Sequence, residues 1–485
     1  MGDRLGRYRA KRDFAATPEP PPGEGDVAGE QATARYVVQE HHARSMHWDL
    51  RLEHDGTLAS WAVPRGIPPD PKRNHLAVRT EDHPLEYLDF EGEIPEGSYG
   101  AGTMRVWDRG TYELHKFRED EVMITFHGER LQGRYVLFRT DGKNWMIHRM
   151  DPPQDADREP MPERLEPMLA RTGVLPPEDG RWAYEIKWDG VRAIGYVTGG
   201  RLRLASRNGR DITPRYPELR ELGRALGSEE AVLDGEVVAF GEDGRPSFQR
   251  LQRRMHLTSD SVVRRLARSE PVAYVIFDLL YLDGRSLLGL PYAERRERLL
   301  ALGLDGPVWQ TPAHRVGDGA ALLEATRAQG LEGIIAKRLD CPYTPGRRSP
   351  YWLKVKNVRR TDVVIGGWLA GEGNRSGRLG ALVVGYHDEG GDLRYAGRVG
   401  TGFDGRELER LGALLAERAR ADSPFAGRQP PKQTRFVEPE LVCSIEYSEW
   451  TQASTLRQPS YKGLRDDVDP AAVRGPGEDE PDVVA

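Results

Sequence analysis

Cysteine is nearly missing from this sequence: Cys341 and Cys443 are the only two among 485 residues. That scarcity excludes a disulfide framework and a cysteine-based zinc site. Long hydrophobic runs are missing too, and no stretch approaches the roughly 20 apolar residues of a membrane span. The opening residues, MGDRLGRYRAKRDF, lack the apolar core of a secretory signal. Gly6 stands where N-myristoylation would need Ser or Thr. Cytoplasmic residence without membrane association is therefore expected. Hydrophobic content of 38% and charged content of 30% fit a soluble globular chain. Its length suits roughly three domains.

A net positive charge is lacking as well. The formal charge is −6, which by itself points away from nucleic acid. Residues 466–485, however, hold seven acids against one Arg, so the rest of the chain is neutral. Locally the balance reverses: Lys337 to Arg378 carries ten Lys/Arg against three Asp/Glu, a strip suited to phosphate. Lysine is the other rarity, with 10 against 60 Arg. This chain uses Arg wherever a plain positive charge is enough. Each Lys therefore raises the question of what Arg cannot do there, and losing a proton is one such task.

What is present falls into segments. Residues 1–150 are rich in short alternating runs (YVVQEH, LASWAV, HLAVRT, TMRVWD, RYVLFR, NWMIHR) separated by turn pairs, an all-β pattern. Residues 151–165, DPPQDADREPMPERL, read as a Pro-rich linker. From 166 to 358 strands alternate with helical stretches such as 287–301 and 319–329, an α+β pattern. Residues 359–467 return to short β segments around one helical stretch, 405–420, which suits a small β-barrel. Residues 468–485 read as an acidic disordered tail.

In the run MHWDLRLE, Met46, Trp48, Leu50 and Leu52 alternate with His47, Asp49, Arg51 and Glu53. That period of two predicts a half-buried strand with a wet polar face. His47 and Asp49 would lie about 6.6 Å apart along it. They can share an ion if another ligand closes the site, with His83 a candidate third partner and His41 a fourth. Mixed imidazole–carboxylate sets suit Mn²⁺, Zn²⁺ or Fe²⁺ better than Mg²⁺.

A second alternating run, WAYEIKWDG, puts Glu185, Lys187 and Asp189 on one face and ends in an Asp-Gly turn. It is followed in order by SRNGR (206–210), LDGEVVAF (233–240), YVIFDLLYLDG (274–284), EGIIAKR (332–338), WLKVKN (352–357) and RQPSYKGLRDD (457–467). Over about 166–467 this series resembles the ATP-dependent DNA ligases, which belong to the covalent nucleotidyltransferases. The resemblance implies an adenylation domain, a C-terminal OB-fold barrel, and ATP and Mg²⁺ as cofactors. It makes Lys187 the nucleophile that carries AMP. Glu185 would read the adenine amino group and Phe277 would stack on the base. Arg192 and Arg207 would contact phosphate and ribose. Glu236 and Glu332 are candidate ribose and metal ligands, since carboxylates suit Mg²⁺. Lys354 and Lys356 would hold the α-phosphate, and Arg457 and Arg465 would orient the leaving pyrophosphate. Four of the ten lysines (187, 337, 354 and 356) fall in the motifs up to residue 357, and Lys462 falls in the last. A hinge near Asn357–Thr361 would let the barrel close for the first step and open for DNA.

The N-terminal segment has its own resemblance. KRDFAATPEP (11–20), HHARSMHWDLRLEHDGTLASWAVPRG (41–66), EDHPLEY (81–87) and EGEIPEGSYGAG (91–102) are similar to the 3′-phosphoesterase module of bacterial end-joining ligase D. The resemblance implies a small β-barrel with a Mn²⁺-dependent site that trims 3′ ribonucleotides and 3′ phosphates. Motif register makes His41, rather than its neighbour His42, a metal ligand with His47 and Asp49. Arg51 and His83 would grip the scissile phosphate, and His83 could also move a proton. Arg12, Asp13, Glu19 and Tyr87 match further site positions. Arg65 stands where the family often has Lys, and His75 where a firmer base is expected.

Together these resemblances imply a multidomain α+β protein that heals and seals DNA breaks in non-homologous end joining. The family's primase-like polymerase module finds no room in these segments. Expected partners are DNA nicks and double-strand ends and a bacterial Ku homodimer, for a monomeric, nucleoid-associated protein. Two alternatives stand beside this: an RNA ligase or capping-type guanylyltransferase, and an N-terminal segment that binds DNA ends without catalysis.

Overall fold

The computed structural model describes residues 4–22, 34–255, 257, 259–357, 359–371, 378–447, 449–451 and 453–475. By contacts the chain divides into two units: Met1–Leu322 with Ile334–Val355, and Leu323–Gly333 with Lys356–Ala485.

The first unit begins with nine strands: β1 (Ala34–Ala43), β2 (His47–His54), β3 (Thr57–Val63), β4 (His75–Arg79), β5 (Gly92–Ile94), β6 (Gly102–Phe117), β7 (Glu121–Gly128), β8 (Gln132–Asp141) and β9 (Asn144–Arg149). They pair in the order β1-β2-β3-β4-β9-β8-β7-β6, and β6 returns to β1, so eight strands close a barrel with β5 attached to β6. Period-two alternation sends Tyr36, Val38, Trp48, Leu50, Leu52 and Trp61 into its core. The opposite residues face outward, and on β1, β2 and β3 several of them are covered. Val37 and Leu58 are covered by Tyr8, Tyr87 and Leu88, which come from the N-terminal residues and the turn Leu85–Asp89. Asp49 and Arg51 on that face are only 6% and 2% exposed, so the expectation of a wet polar face on β2 is corrected. Strand alternation cannot reveal a cover that arrives from elsewhere in the chain.

The central part holds two sheets. In one, Leu169–Thr172, Arg348–Lys356, Gly333–Arg338, Trp182–Ile186 and Arg315–Val316 lie in that order. In the other the path runs Arg201–Ser206, Val191–Thr198, Ala231–Ala239, Val272–Leu282, Trp309–Gln310, Asp305–Gly306. The helix expected over 287–301 starts at Tyr292, because Leu287 still bonds back to Leu280 and Pro291 takes the N-cap. Residues 151–165 are irregular but pinned. Arg285 pairs with Asp155, Tyr281 Oη donates to the Glu159 carbonyl, and the Leu165 amide donates to Tyr196 Oη.

One buried ion pair anchors this part. Arg295 donates to Asp278 through Nε (2.8 Å) and Nη2 (3.0 Å), and Nη1 reaches the carbonyls of Leu290 and Cys341. Both charged side chains are fully buried. Arg295→Ala would strand the Asp278 carboxylate, at a cost of about 3–5 kcal/mol. Urea unfolding of the variant should show a correspondingly lower midpoint, whereas an unchanged midpoint would contradict this role.

In the second unit, Leu393–Val399, Leu379–His387, Arg359–Ala370, Arg435–Tyr447 and Ala419–Arg420 form an antiparallel sheet, with Ser460–Leu464 also on Arg435–Tyr447. Among the described residues this is a half-barrel rather than a closed ring. The helix Gly405–Glu417 begins at Asp404, whose carboxylate accepts from the Glu407 amide. The expected disorder from 468 is corrected for 468–475: Val473 is buried, Val468 packs on the same cluster, and the His387 amide donates to the Val473 carbonyl. These two valines give the acidic stretch an apolar foothold. Residues 476–485 lie outside the described residues. No described helix is long and apolar enough to cross a membrane.

Candidate functional site

Two sites are built in the first unit. On the outer face of the barrel, the antiparallel register sets His41 opposite His47 and Gln39 opposite Asp49. One ligand atom from each of His41, His47 and Asp49 falls within 4.8 Å of the others. Asp49 Oδ2 lies 3.6 Å from His41 Nδ1, and Oδ1 lies 3.6 Å from His47 Nε2. His41 gives its other nitrogen to the Gly100 carbonyl (2.9 Å), and His47 gives Nδ1 to the Ser45 carbonyl (2.8 Å). Each imidazole thus turns one nitrogen toward the carboxylate. His41 Nδ1 is buried without a hydrogen-bond partner, which fits a metal-donor atom. Two imidazoles and one carboxylate suit a divalent transition metal. Burial by itself would raise the Asp49 carboxyl, but Arg51 and the two imidazoles outweigh it and hold it below the usual carboxylate range. His42 faces the other side and pairs with Glu40 (2.7 Å).

Arg51 is fixed on three sides. Its Nε donates to Gln39 (2.7 Å), Nη1 to Ser60 (3.1 Å) and Nη2 to Asp49 (3.0 Å). Beside it, His83 is not a member of the metal-holding trio, so the third-ligand reading drawn from the residues alone is corrected. Its Nδ1 faces the Glu81 carbonyl (2.9 Å) and its Nε2 faces Arg12 Nη2 (3.3 Å). That pairing selects the Nδ1–H tautomer. Burial, with Arg51 and Arg12 nearby, pushes the His83 pKa well below its ordinary value, which keeps the ring neutral. Arg12 is held by Glu19 (2.7 Å) and Glu81 (3.2 Å), and Tyr87 Oη donates to Glu19. Asp13 is exposed and accepts from the Ala15 amide in its own turn. Arg65 lines a different cavity, with His75. Gln39, Ser60 and Glu81 are not singled out by sequence. Gln39 was accessible, because it shares the alternating face of His41.

The second site is a cavity of about 260 Å³ whose lining includes Glu185, Lys187, Arg192, Arg207, Glu236, Phe277, Lys337 and Lys354. Lys187 follows directly on the strand Trp182–Ile186 and Arg192 is the second residue of the next, Val191–Thr198, so the Asp-Gly turn between them turns both side chains to one opening. Glu185 accepts from Lys337 Nζ (2.8 and 2.9 Å) and from Tyr292 Oη. Burial lowers the Lys337 pKa while the Glu185 carboxylate opposes that. Arg192 bonds Asp234 through Nε and Nη2, both at 2.6 Å, and its guanidinium lies 4.6 Å from the Phe277 ring centre. Tyr343 Oη also donates to Asp234 (2.6 Å). Burial raises the Glu236 carboxyl to about 7, although Arg192 and Lys187 pull it down. A cavity that pairs an aromatic wall with several cations suits a planar base carrying phosphates.

Glu332, Lys356, Arg457 and Arg465 belong to the second unit. There Lys356 pairs with Glu332 (3.0 Å) and donates to Gln458 (2.9 Å), while Arg465 pairs with Asp362 (3.1 Å) and Asp467 (2.8 Å).

Comparison with known proteins follows the same division. Residues 39–139 match the DNA Ligase D 3′-phosphoesterase domain, 167–356 the ATP dependent DNA ligase domain, and 375–468 the ATP dependent DNA ligase C terminal region. The multifunctional non-homologous end joining DNA repair protein LigD of Mycobacterium tuberculosis is 46% identical over 481 residues, which is 98% of this chain and 61% of that protein. The DNA ligase C1 of Mycolicibacterium smegmatis is 34% identical over 306 residues, 60% of this chain and 85% of that protein. The solved ligase domain of M. tuberculosis LigD is 42% identical, covering 64% of this chain and 97% of that one, with a TM-score of 0.38. The chain thus spans about 61% of the length of the LigD relatives it matches.

Proposed function

This chain belongs to the ATP-dependent DNA ligases, and from that premise we propose that it seals 3′-OH/5′-phosphate breaks in DNA and heals blocked 3′ ends with its barrel. The observation that carries the sealing half is Lys187 at the wall of a cavity also lined by Glu185, Phe277, Glu236 and Lys354. In the first step the Lys187 amine attacks the α-phosphorus of ATP. A P–N bond forms, the bond to the β-phosphate bridge breaks, and pyrophosphate leaves. Next the DNA 5′-phosphate takes the AMP and releases the lysine. The 3′-OH then attacks and AMP departs. Phe277 stacks the adenine, and Glu185, held by Lys337 and Tyr292, reads its amino edge. Arg207 contacts phosphate or ribose, and Arg192, braced by Asp234, flanks the base. Lys354 steadies the α-phosphate as charge grows. Mg²⁺, held by carboxylates such as Glu236, would neutralise phosphate charge. The parts of Glu332, Lys356, Arg457 and Arg465 in the first step rest on the family resemblance.

For the healing half, His41, His47 and Asp49 are the residues that would hold Mn²⁺, which supplies Lewis-acid polarisation of a phosphate oxygen. Arg51, oriented by Gln39 and Ser60, presents its charge to the scissile phosphate. His83, kept neutral, positions or receives a proton through Nε2 beside Arg12. Glu19 and Tyr87 fix Arg12. Cytoplasmic, nucleoid-associated repair as a monomer, with a Ku homodimer as partner, completes the proposal.

Two measurements test it. The protein should be labelled by α-radiolabelled ATP and not GTP, and should seal nicked DNA in preference to nicked RNA. GTP labelling or RNA preference would favour the capping or RNA-ligase alternative. A nick bearing a 3′ phosphate should be sealed when Mn²⁺, Mg²⁺ and ATP are all supplied.

A further inference from the structure

We infer that the central, nucleotide-binding part of this chain acts as a positioning partner for the barrel's metal cluster, gripping the turn that orients His47. The inference rests on the metal role proposed above. β1 and β2 are joined by Arg44, Ser45 and Met46, and this short turn does two things. The Ser45 carbonyl takes the His47 Nδ1 hydrogen, which leaves Nε2 toward Asp49. The residues on either side of Ser45 are held by the central part. Arg224, in the helix Glu221–Ala225, donates through Nη2 to the Arg44 carbonyl. Met46 is 4% exposed and packs on Gly200, where a Cβ would come within 2.2 Å of the Met46 sulfur.

Further contacts broaden the grip. A Cβ on Gly227 would lie 2.7 Å from Glu40 Oε1, one residue before His41. A Cβ on Gly199 would lie 3.3 Å from the Arg65 Cα. Glycines 199, 200 and 227 all have positive φ (+55°, +67° and +57°), so two tight turns bring bare backbone against the barrel. The seam is continued by Arg73 and Glu163 (3.3 Å) and by a cavity of about 590 Å³ walled by Trp48, Arg65 and His75 on one side and Thr198, Gly199 and Glu230 on the other.

His47 is the ligand that needs this support. Its side chain is 22% exposed, against 5% for His41, and it sits at the first residue of its strand. Loosening the turn frees the Ser45 carbonyl and with it the imidazole, so ordering must be supplied when the cation binds.

The test uses the full chain and Mn²⁺ alone, with free Mn²⁺ read by electron paramagnetic resonance. The variants are His47→Ala, Arg224→Ala, Arg224→Lys and Met46→Ala/Arg224→Ala. Wild type should bind one more Mn²⁺ than His47→Ala. Arg224→Ala should weaken that ion about threefold to tenfold, a smaller loss than for a group touching the ligand itself. Arg224→Lys, which can still donate to a carbonyl, should restore most of it. Formation of the Lys187–AMP adduct should be unchanged in the Arg224 variants and the double variant. Equal Mn²⁺ affinity in wild type, Arg224→Ala and the double variant overturns the grip. Binding in wild type no tighter than in His47→Ala instead overturns the metal role itself. If the double variant unfolds, the two single changes at Arg224 decide.

Discussion

Lys187→Ala is expected to abolish transfer of AMP from ATP to the protein and to lower nick sealing more than about 10³-fold. Lys187→Arg should fail equally, because a guanidinium cannot give up its proton to become a nucleophile. Both variants should still close a nick whose 5′ end already carries AMP, since the last step uses the 3′-OH and not the lysine. The protein–AMP adduct, read after denaturing gel electrophoresis, and sealing of the two nicks separate these roles. A labelled adduct in Lys187→Ala would remove this lysine from the chemistry. The scarcity of lysine sharpens the expectation. In a chain with 60 Arg and 10 Lys, a Lys at the wall of a cavity of about 260 Å³ lined by other cations marks a place where a removable proton matters.

His47→Ala is expected to lower removal of a 3′ phosphate or 3′ ribonucleotide more than about 10²-fold, since losing a ligand costs at least as much as losing its support. Sealing of a clean nick should stay at the wild-type rate, because the variant leaves the central cavity untouched. A nick with a 3′ phosphate would then accumulate unsealed. Trimming that survives in His47→Ala would exclude the cluster of His41, His47 and Asp49 as the healing centre. It would also revive the alternative of a barrel that only binds DNA ends.

Much of this arrangement was legible locally. Alternation placed His47, Asp49 and Arg51 on one face, and the Asp-Gly turn after Lys187 fixed the strand end. Motif order joined residues from Glu185 to Lys354 into one cavity. What sequence could not give is long-range. Arg51 is covered by the Tyr87 ring, whose centre lies 4.6 Å from its guanidinium, and Asp49 is enclosed by His41, His47 and Arg51. Arg192 is committed to Asp234, 42 residues later, so a guanidinium expected on phosphate is also a structural brace. Glu185 meets Lys337 across 152 residues. Strand register separates His41 from His42, which sequence leaves to motif alignment. His83 reads as a candidate ligand because it is a histidine in the acidic run EDHPLEY; its neighbours Arg12 and Glu81 make it something else.

The two sites also differ in how early they can exist. His41, His47 and Asp49 span nine residues on a single hairpin, closed by the turn at Arg44–Met46. Hairpins of this kind form in about 1–10 μs, before distant strands must meet. The nucleotide cavity instead gathers walls from Leu169 to Lys354, and so waits for contacts of high sequence separation. As a chain leaves the ribosome, the metal donors can assemble while the last strands of the cavity are still unmade. The proposed metal donors are thus local in sequence, and the proposed nucleotide cavity is not, even though the turn that orients His47 is later gripped by Arg224.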